Sequence, residues 1–129
     1  MKIQFWACVL LALFVTSVAA EEIDPTITPS KTLTCTLPVE RTDGTPLAVD
    51  EIAQVRFYVS QDGSTWTQNG TNTVCLQVYD LTNVADGQYY YTADVVDTEG
   101  RESEKSPQVA DLLVKRIAPP ASPSGVGWQ

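Results

Sequence analysis

The residues with the best credentials for chemistry are four acids beside or near glycines, Asp62, Asp86, Asp97 and Glu99. Paired carboxylates can cleave a glycosidic bond, one as acid and the other as base or nucleophile. Carboxylates that converge from two turns can hold a hard cation such as calcium. Each of these acids, however, lies in a turn signal: Asp62-Gly63, Asp86-Gly87, Asp97-Thr98-Glu99-Gly100, with Asp43-Gly44 as a further example. Asp bonds readily to backbone just ahead of it, and Gly supplies positive φ, so solvated turn residues are the expectation. An Asp-x-x-Gly turn alone does not provide the six or more oxygens that calcium takes.

Other chemistry lacks its parts. The sequence has no His, which removes the commonest general base, the usual partner of a Ser or Cys nucleophile, and the best nitrogen ligand for zinc or copper. There is no Gly-x-x-x-x-Gly-Lys loop, no Gly-x-Gly-x-x-Gly loop and no Cys-x-x-Cys pair, so phosphate cradles, dinucleotide sites and thiol redox centres find no support. The expectation is a protein that is not an enzyme, with no catalytic residue, no cofactor and no metal.

Residues suited to binding are better represented, and strands must position them. Short runs rich in Val, Tyr, Thr and Leu recur between turn signals, and no stretch repeats apolar positions at helical spacing. Strands are expected over 32–37, 54–60, 65–68, 74–80, 88–97 and 109–114, with a weaker first strand around 26–28. Period-two alternation places Leu33, Cys35 and Leu37 on one face, then Val55, Phe57 and Val59, then Val74, Leu76 and Val78, and these nine form the expected core. Tyr89, Tyr91, Ala93 and Val95 point inward from the long strand, and the last strand offers Val109, Leu112 and Val114. If 54–60 pairs with 88–97, then Arg56, Tyr58, Tyr90 and Thr92 share an outer face, and Trp66 on the next hairpin strand either joins them or caps the core. Tyr, Trp and Arg are the types enriched where proteins bind partners, although cross-strand Tyr pairs also stabilise a sheet without any ligand. Asn69-Gly70-Thr71 fits a glycosylation acceptor.

Both ends differ from the middle. Met1-Lys2, the apolar run from Phe5 to Val15 and then Ser17-Val18-Ala19-Ala20 follow the order of a secretory signal peptide, assigned to residues 1–20. That run falls short of the about 20 residues a membrane span needs. Residues 21–117 form one expected domain. From Ala118 to Gln129 the chain is rich in Pro, Gly and Ser and is expected to be an extended tail, in which Trp128 is either incidental or a docking residue. Eight Lys and Arg, one of them in the leader, oppose 16 Asp and Glu. That balance argues against nucleic acid and against an anionic membrane surface. A secreted or periplasmic location follows, and export makes a disulfide between Cys35 and Cys75 chemically permissible.

Over about 85 residues the order of features resembles bacterial fibronectin type III domains. Leu33-Thr34-Cys35 with Pro38, Asp43-Gly44-Thr45-Pro46-Leu47, Val55-Arg56-Phe57-Tyr58-Val59 with Asp62-Gly63, and Leu81 match that pattern. The most specific pieces are Gly87-Gln88-Tyr89-Tyr90-Tyr91 and Val96-Asp97-Thr98-Glu99-Gly100-Arg101-Glu102-Ser103. The resemblance implies an all-β, immunoglobulin-like sandwich of about seven antiparallel strands, with Tyr89 as the corner tyrosine whose hydroxyl ties back to the chain. Two departures stand out: Cys35 occupies a position where the family usually has Trp, and the interval from Leu81 to Tyr89 is longer. The resemblance also makes the Cys35 and Cys75 strands neighbours in one sheet. Alternation nevertheless points Cys35 inward and Cys75 outward, so the bond requires a bulge near Cys75 or does not form.

The expected role is a secreted, non-catalytic binding or adhesion module for a protein or glycan partner. It would act through the Tyr58 and Tyr90 face or through an exposed sheet edge to which a strand could add. The alternative is a structural spacer or decoration subunit that self-associates weakly through its edges and tail.

Overall fold

Alternating apolar and polar residues make Ile52–Ser60 (β3) and Gly87–Asp97 (β6) the two longest strands in the computed structural model, which describes residues 20–129. The expected signal peptide, apart from Ala20, lies outside those residues. Five further strands complete the fold: Glu21–Ile23 (β1), Ser30–Thr34 (β2), Thr67–Asn72 (β4), Leu76–Asp80 (β5) and Ala110–Val114 (β7), and a single helical turn spans Val49–Glu51. One sheet has the order β1-β7-β6-β3-β4, and the second contains only β2 and β5.

The strands are not all antiparallel. β1 pairs with β7 in parallel register, Glu21 with Leu112 and Ile23 with Val114, and the expected first strand at 26–28 is a turn instead. Asp24 dictates that difference: its Oδ1 accepts the backbone N–H of Thr26 (2.9 Å) and the Thr26 hydroxyl (2.6 Å), while its carbonyl accepts from the N–H of Thr28 (2.8 Å). Such local bonds compete with strand pairing for the same backbone groups.

Between the sheets lie Val55 and Phe57 of β3, Tyr89 and Tyr91 of β6, Leu112 and Val114 of β7, and Ile23 and Leu81, all buried. Leu33 and Val59 pack partly against them. Fully burying a side chain such as Phe57 stabilises by about 1.5–3 kcal/mol. The expected core needs correction at Cys35, which is exposed, and on β5: Val74, Leu76 and Val78 are 52%, 41% and 56% exposed, and the opposite face of the strand, with Cys75, Gln77 and Tyr79, turns inward. Tyr79 decides the phase. Its ring meets that of Tyr91 at 5.0 Å between centroids, and its hydroxyl donates to Asn69 Oδ1 at 2.9 Å. A Tyr offers more apolar area than a Val and brings its own polar partner.

β4 and β5 close one side of the sandwich. Asn72 Nδ2 donates to the Leu76 carbonyl at 2.9 Å, and Gly70 lies so close to β5 that a Cβ there would stand 3.0 Å from the Gln77 side chain. Asn69, within the glycosylation pattern, is exposed and occupies the bulge where pairing passes from Phe57–Gly70 to Tyr58–Gln68. The other side, between β2 and the chain after β6, stays open. Past Val114 the chain is pinned by Lys115 N–H to the Ile23 carbonyl and Ile117 N–H to Asp24 Oδ2, and residues 118–129 are exposed without strand or helix.

Candidate functional site

Three of the four acids considered for catalysis or calcium are already engaged, and the fourth, Glu99, is exposed and contributes only its backbone N–H, to Asp97. Asp62 Oδ1 accepts from the N–H groups of Ser64 and Thr65 and from the Ser60 hydroxyl, closing a turn in which Gly63 takes φ +77°. Asp86 pairs with Arg116. Asp97 is buried; it accepts from Arg41 Nη1 (2.8 Å), Arg101 Nη1 (2.9 Å) and the N–H groups of Glu99 and Arg101. Asp62, Asp86 and Asp97 sit in separate turns, with Glu99 in the turn of Asp97, and among the described residues no group of three or more His, Cys, Asp or Glu is arranged to hold a metal.

The same bonds make the fold sensitive to acid. The Arg41 hydrogen bond leads in holding the Asp97 carboxyl well below the usual range, and the Thr65 and Ser64 N–H groups do the same for Asp62. A carboxyl whose pKa is lower folded than unfolded contributes stability above the unfolded value, lost as pH falls through the folded one. Urea unfolding midpoints should therefore drop steadily below about pH 4. Asp97→Asn should lower stability at neutral pH and flatten that acid slope; an unchanged slope would show that Asp97 is not its source.

The expected binding face is largely covered. Arg56 and Asp94 face each other across β3 and β6. Arg56 Nε and Nη2 donate to the two Asp94 oxygens, both at 2.7 Å, and the side chains are only 15% and 3% exposed. The buried Tyr58 hydroxyl donates to Asp94 Oδ2 (3.0 Å), Arg56 Nη1 reaches Glu102 (2.8 Å), and Lys105 Nζ lies 4.4 Å from the centroid of the Tyr58 ring. Burial, helped by the bond to Asp94, raises the Tyr58 hydroxyl above its ordinary pKa. Thr92 is buried too, its hydroxyl donating to the Ser106 carbonyl. Tyr90 and Trp66 remain half-buried, and Tyr90 lies near Gly63 in the Asp62 turn. Arg56, Tyr58 and Thr92 thus belong to a polar clasp rather than an open aromatic patch. The sequence supplied the pairing of β3 with β6 but gave no sign that residues 102–106 would fold over it.

That segment is held along β6 by the Ser103 N–H to the Val95 carbonyl (2.8 Å), the Ser106 N–H to the Ala93 carbonyl (2.9 Å) and a bridge between Val96 and Glu102. Between it and β2 runs an open cleft of about 1440 Å³, whose lining includes Leu33, Cys35, Tyr91, Ala93, Val95 and Val109. β2 forms one wall. Its bonded pairs with β5 include Cys35 with Cys75 (3.0 Å) and Pro29 with Leu81 (2.7 Å). In an antiparallel ladder bonded pairs alternate with non-bonded ones, so Lys31 and Leu33 also face β5. The N–H and C=O groups of Ser30, Thr32 and Thr34 are therefore directed away, onto an edge with no strand partner among the described residues.

Cys35 and Cys75 form a disulfide, with their Cα atoms 5.0 Å apart. No bulge is needed. Once Tyr79 turns β5 over, both Cys lie on one face at directly opposed positions, and the expected conflict of faces disappears.

The chain matches no protein-family model and no curated protein. A solved structure, the fourth fibronectin type III domain of a human protein, superposes with a TM-score of 0.50 over 73% of this chain and 72% of that one, at 16% sequence identity. The fold is that of a fibronectin type III domain. Within it Tyr89 ties the corner as the resemblance implied, its hydroxyl donating to the Ala85 carbonyl at 2.7 Å. The lengthened interval before that tyrosine is taken up by a turn closed by the Val84 N–H on the Leu81 carbonyl. The fold alone assigns no role, because functional sites are grafted onto such a frame rather than given by it. Here the features open to a partner are the β2 edge and the cleft beside it. Among the described residues no helix is long and apolar enough to cross a membrane.

Proposed function

We propose that this chain is a secreted, non-catalytic binding module that holds a partner at the cell exterior along the free edge of β2. The observation that carries the reading is the unpartnered row of N–H and C=O groups at Ser30, Thr32 and Thr34, whose Thr34 end borders an open cleft with both apolar and charged lining. Such a row takes up an extended peptide by strand addition, with alternate side chains entering the cleft for specificity. This favours a protein partner over a glycan. Export is supported by the leader-like order of residues 1–20 and by the disulfide, which persists in oxidising compartments.

Thr32→Pro provides the test, because it removes a donor from the open edge and leaves the β5 ladder intact. Saturable binding of the labelled mature chain to intact cells of the producing organism should weaken about tenfold, the equivalent of one hydrogen bond. Absence of saturable binding by the wild type, or unchanged binding by a folded Thr32→Pro, would reject the reading. Self-association is the second reading, favoured by the exposed Val74, Leu76 and Val78 on the same two-stranded sheet.

A further inference from the structure

We infer that the occupant of the β2 edge is the C-terminal tail of a second copy of this chain, with Val126 and Trp128 inserted into the cleft, so that the molecules join head to tail. The inference rests on the β2-edge reading above and names its partner.

Two unpartnered features complement each other. The first is the edge and cleft just described, a site with backbone donors and acceptors on one wall and Leu33, Tyr91, Ala93 and Val95 among its apolar lining. The second is the tail. After Ile117 it runs through Pro119, Pro120 and Pro123 and then reads Gly125-Val126-Gly127-Trp128. Val126 and Trp128 are 88% and 103% exposed. An indole left wholly in water forgoes the largest apolar burial any side chain offers.

Spacing makes the tail a strand donor. Residues two apart lie on the same side of an extended chain, so a strand formed from Gly125 to Trp128 sends Val126 and Trp128 together toward one face. Laid along β2, that face is the one Leu33 and Cys35 also turn to the cleft. Gly125 and Gly127 carry no side chain to obstruct the other face, and all three prolines lie upstream of the residues that must pair. The Pro-rich stretch favours an extended conformation of about 3.1 Å per residue, a semi-rigid spacer.

Placement favours a neighbour over the same molecule. β7 runs antiparallel to β6, with Ala110 opposite Tyr91 and Val114 opposite Gly87, so the tail departs from the Gly87 end. The cleft lies along the other part of β6, from Tyr91 to Asp97. A tail that leaves one end and a receptor at the other form a heterologous contact, which propagates into rings or filaments rather than closing as a two-fold dimer.

Sedimentation velocity of the mature full chain over a concentration series is the test, with Val126→Ser/Trp128→Ser beside it; both substitutions lie outside the sandwich and leave its fold alone. The wild type should form a ladder of oligomers that grows with concentration. The double variant should remain monomeric, and a synthetic peptide with the sequence of residues 122–129 should bind that variant and dissolve wild-type oligomers. Replacing the Trp in the peptide by Ser should weaken binding at least about tenfold, as for an anchoring aromatic. Oligomers untouched by the double substitution would overturn the assignment of the tail. A wild type that is monomeric throughout would overturn the second copy: with the tail protected from proteolysis it would be folding back on its own cleft, and with the tail cleaved freely the cleft would be left to another partner. If the peptide fails while Thr32→Pro still impairs cell binding, only the tail assignment is lost; if both fail, the edge itself is not the site.

Discussion

Asp94→Ala is expected to lower the unfolding free energy by about 3–5 kcal/mol, measured by urea denaturation at neutral pH, because breaking a buried ion pair leaves an uncompensated charge behind. Arg56 would keep Glu102, but its Nε and Nη2 would lose both acceptors, and the Tyr58 hydroxyl would lose its own. A loss of that size is a large part of the roughly 5–15 kcal/mol that holds a typical domain together. The pair is not itself a large net source of stability, since two charges have been withdrawn from water. The joint substitution Arg56→Met/Asp94→Leu should therefore recover most of what Asp94→Ala loses. A single substitution that costs less than about 1 kcal/mol would place the pair in the class of surface ion pairs and remove the clasp from the account.

The second large effect is reduction of Cys35–Cys75. The bond joins positions 40 residues apart, and cross-linking a loop of that length restricts the unfolded chain by an amount equivalent to about 3–4 kcal/mol. Cys35→Ser/Cys75→Ser, or the wild type in excess reductant, should melt roughly 15 °C lower by circular dichroism. The two treatments should agree. A melting temperature unaffected by reductant would mean that the two-stranded sheet holds without its cross-link.

The sequence carried the class of fold because its strongest signals are local. Asp62-Gly63, Asp86-Gly87 and the Gly-x-Tyr entry to β6 each fix a turn or a corner through groups only a few residues apart. Six of the seven strands overlap the segments that alternation picked out. It failed where two faces of one strand were both plausible: on β5 the Val74, Leu76, Val78 face outscores Gln77 and Tyr79 in hydropathy, and only contact with Tyr91 and Asn69, both distant in sequence, reverses the choice. The parallel placement of β1 was hidden for a related reason, since a three-residue strand has too little pattern to declare its partner. The candidate face at Arg56, Tyr58 and Tyr90 was correctly grouped on one side of the sheet. Its covering segment, Glu102 to Ser106, shows no apolar period and is recruited by charge and backbone bonds instead. An exposed sheet edge was expected, but not its place: the cleft arises because, among the described residues, no strand pairs with β2 on the side away from β5.

The parallel register of β1 with β7 sets how the molecule bears tension. Glu21 stands at the lower end of one strand and Val114 at the upper end of its neighbour. A stretching force applied at those two points pulls the strands past each other along their length. Their hydrogen bonds are then loaded together, as rivets in a lap joint are, and not opened one after another like a zip. A chain of such molecules linked end to end would behave as a rope whose first yielding element is this short seam.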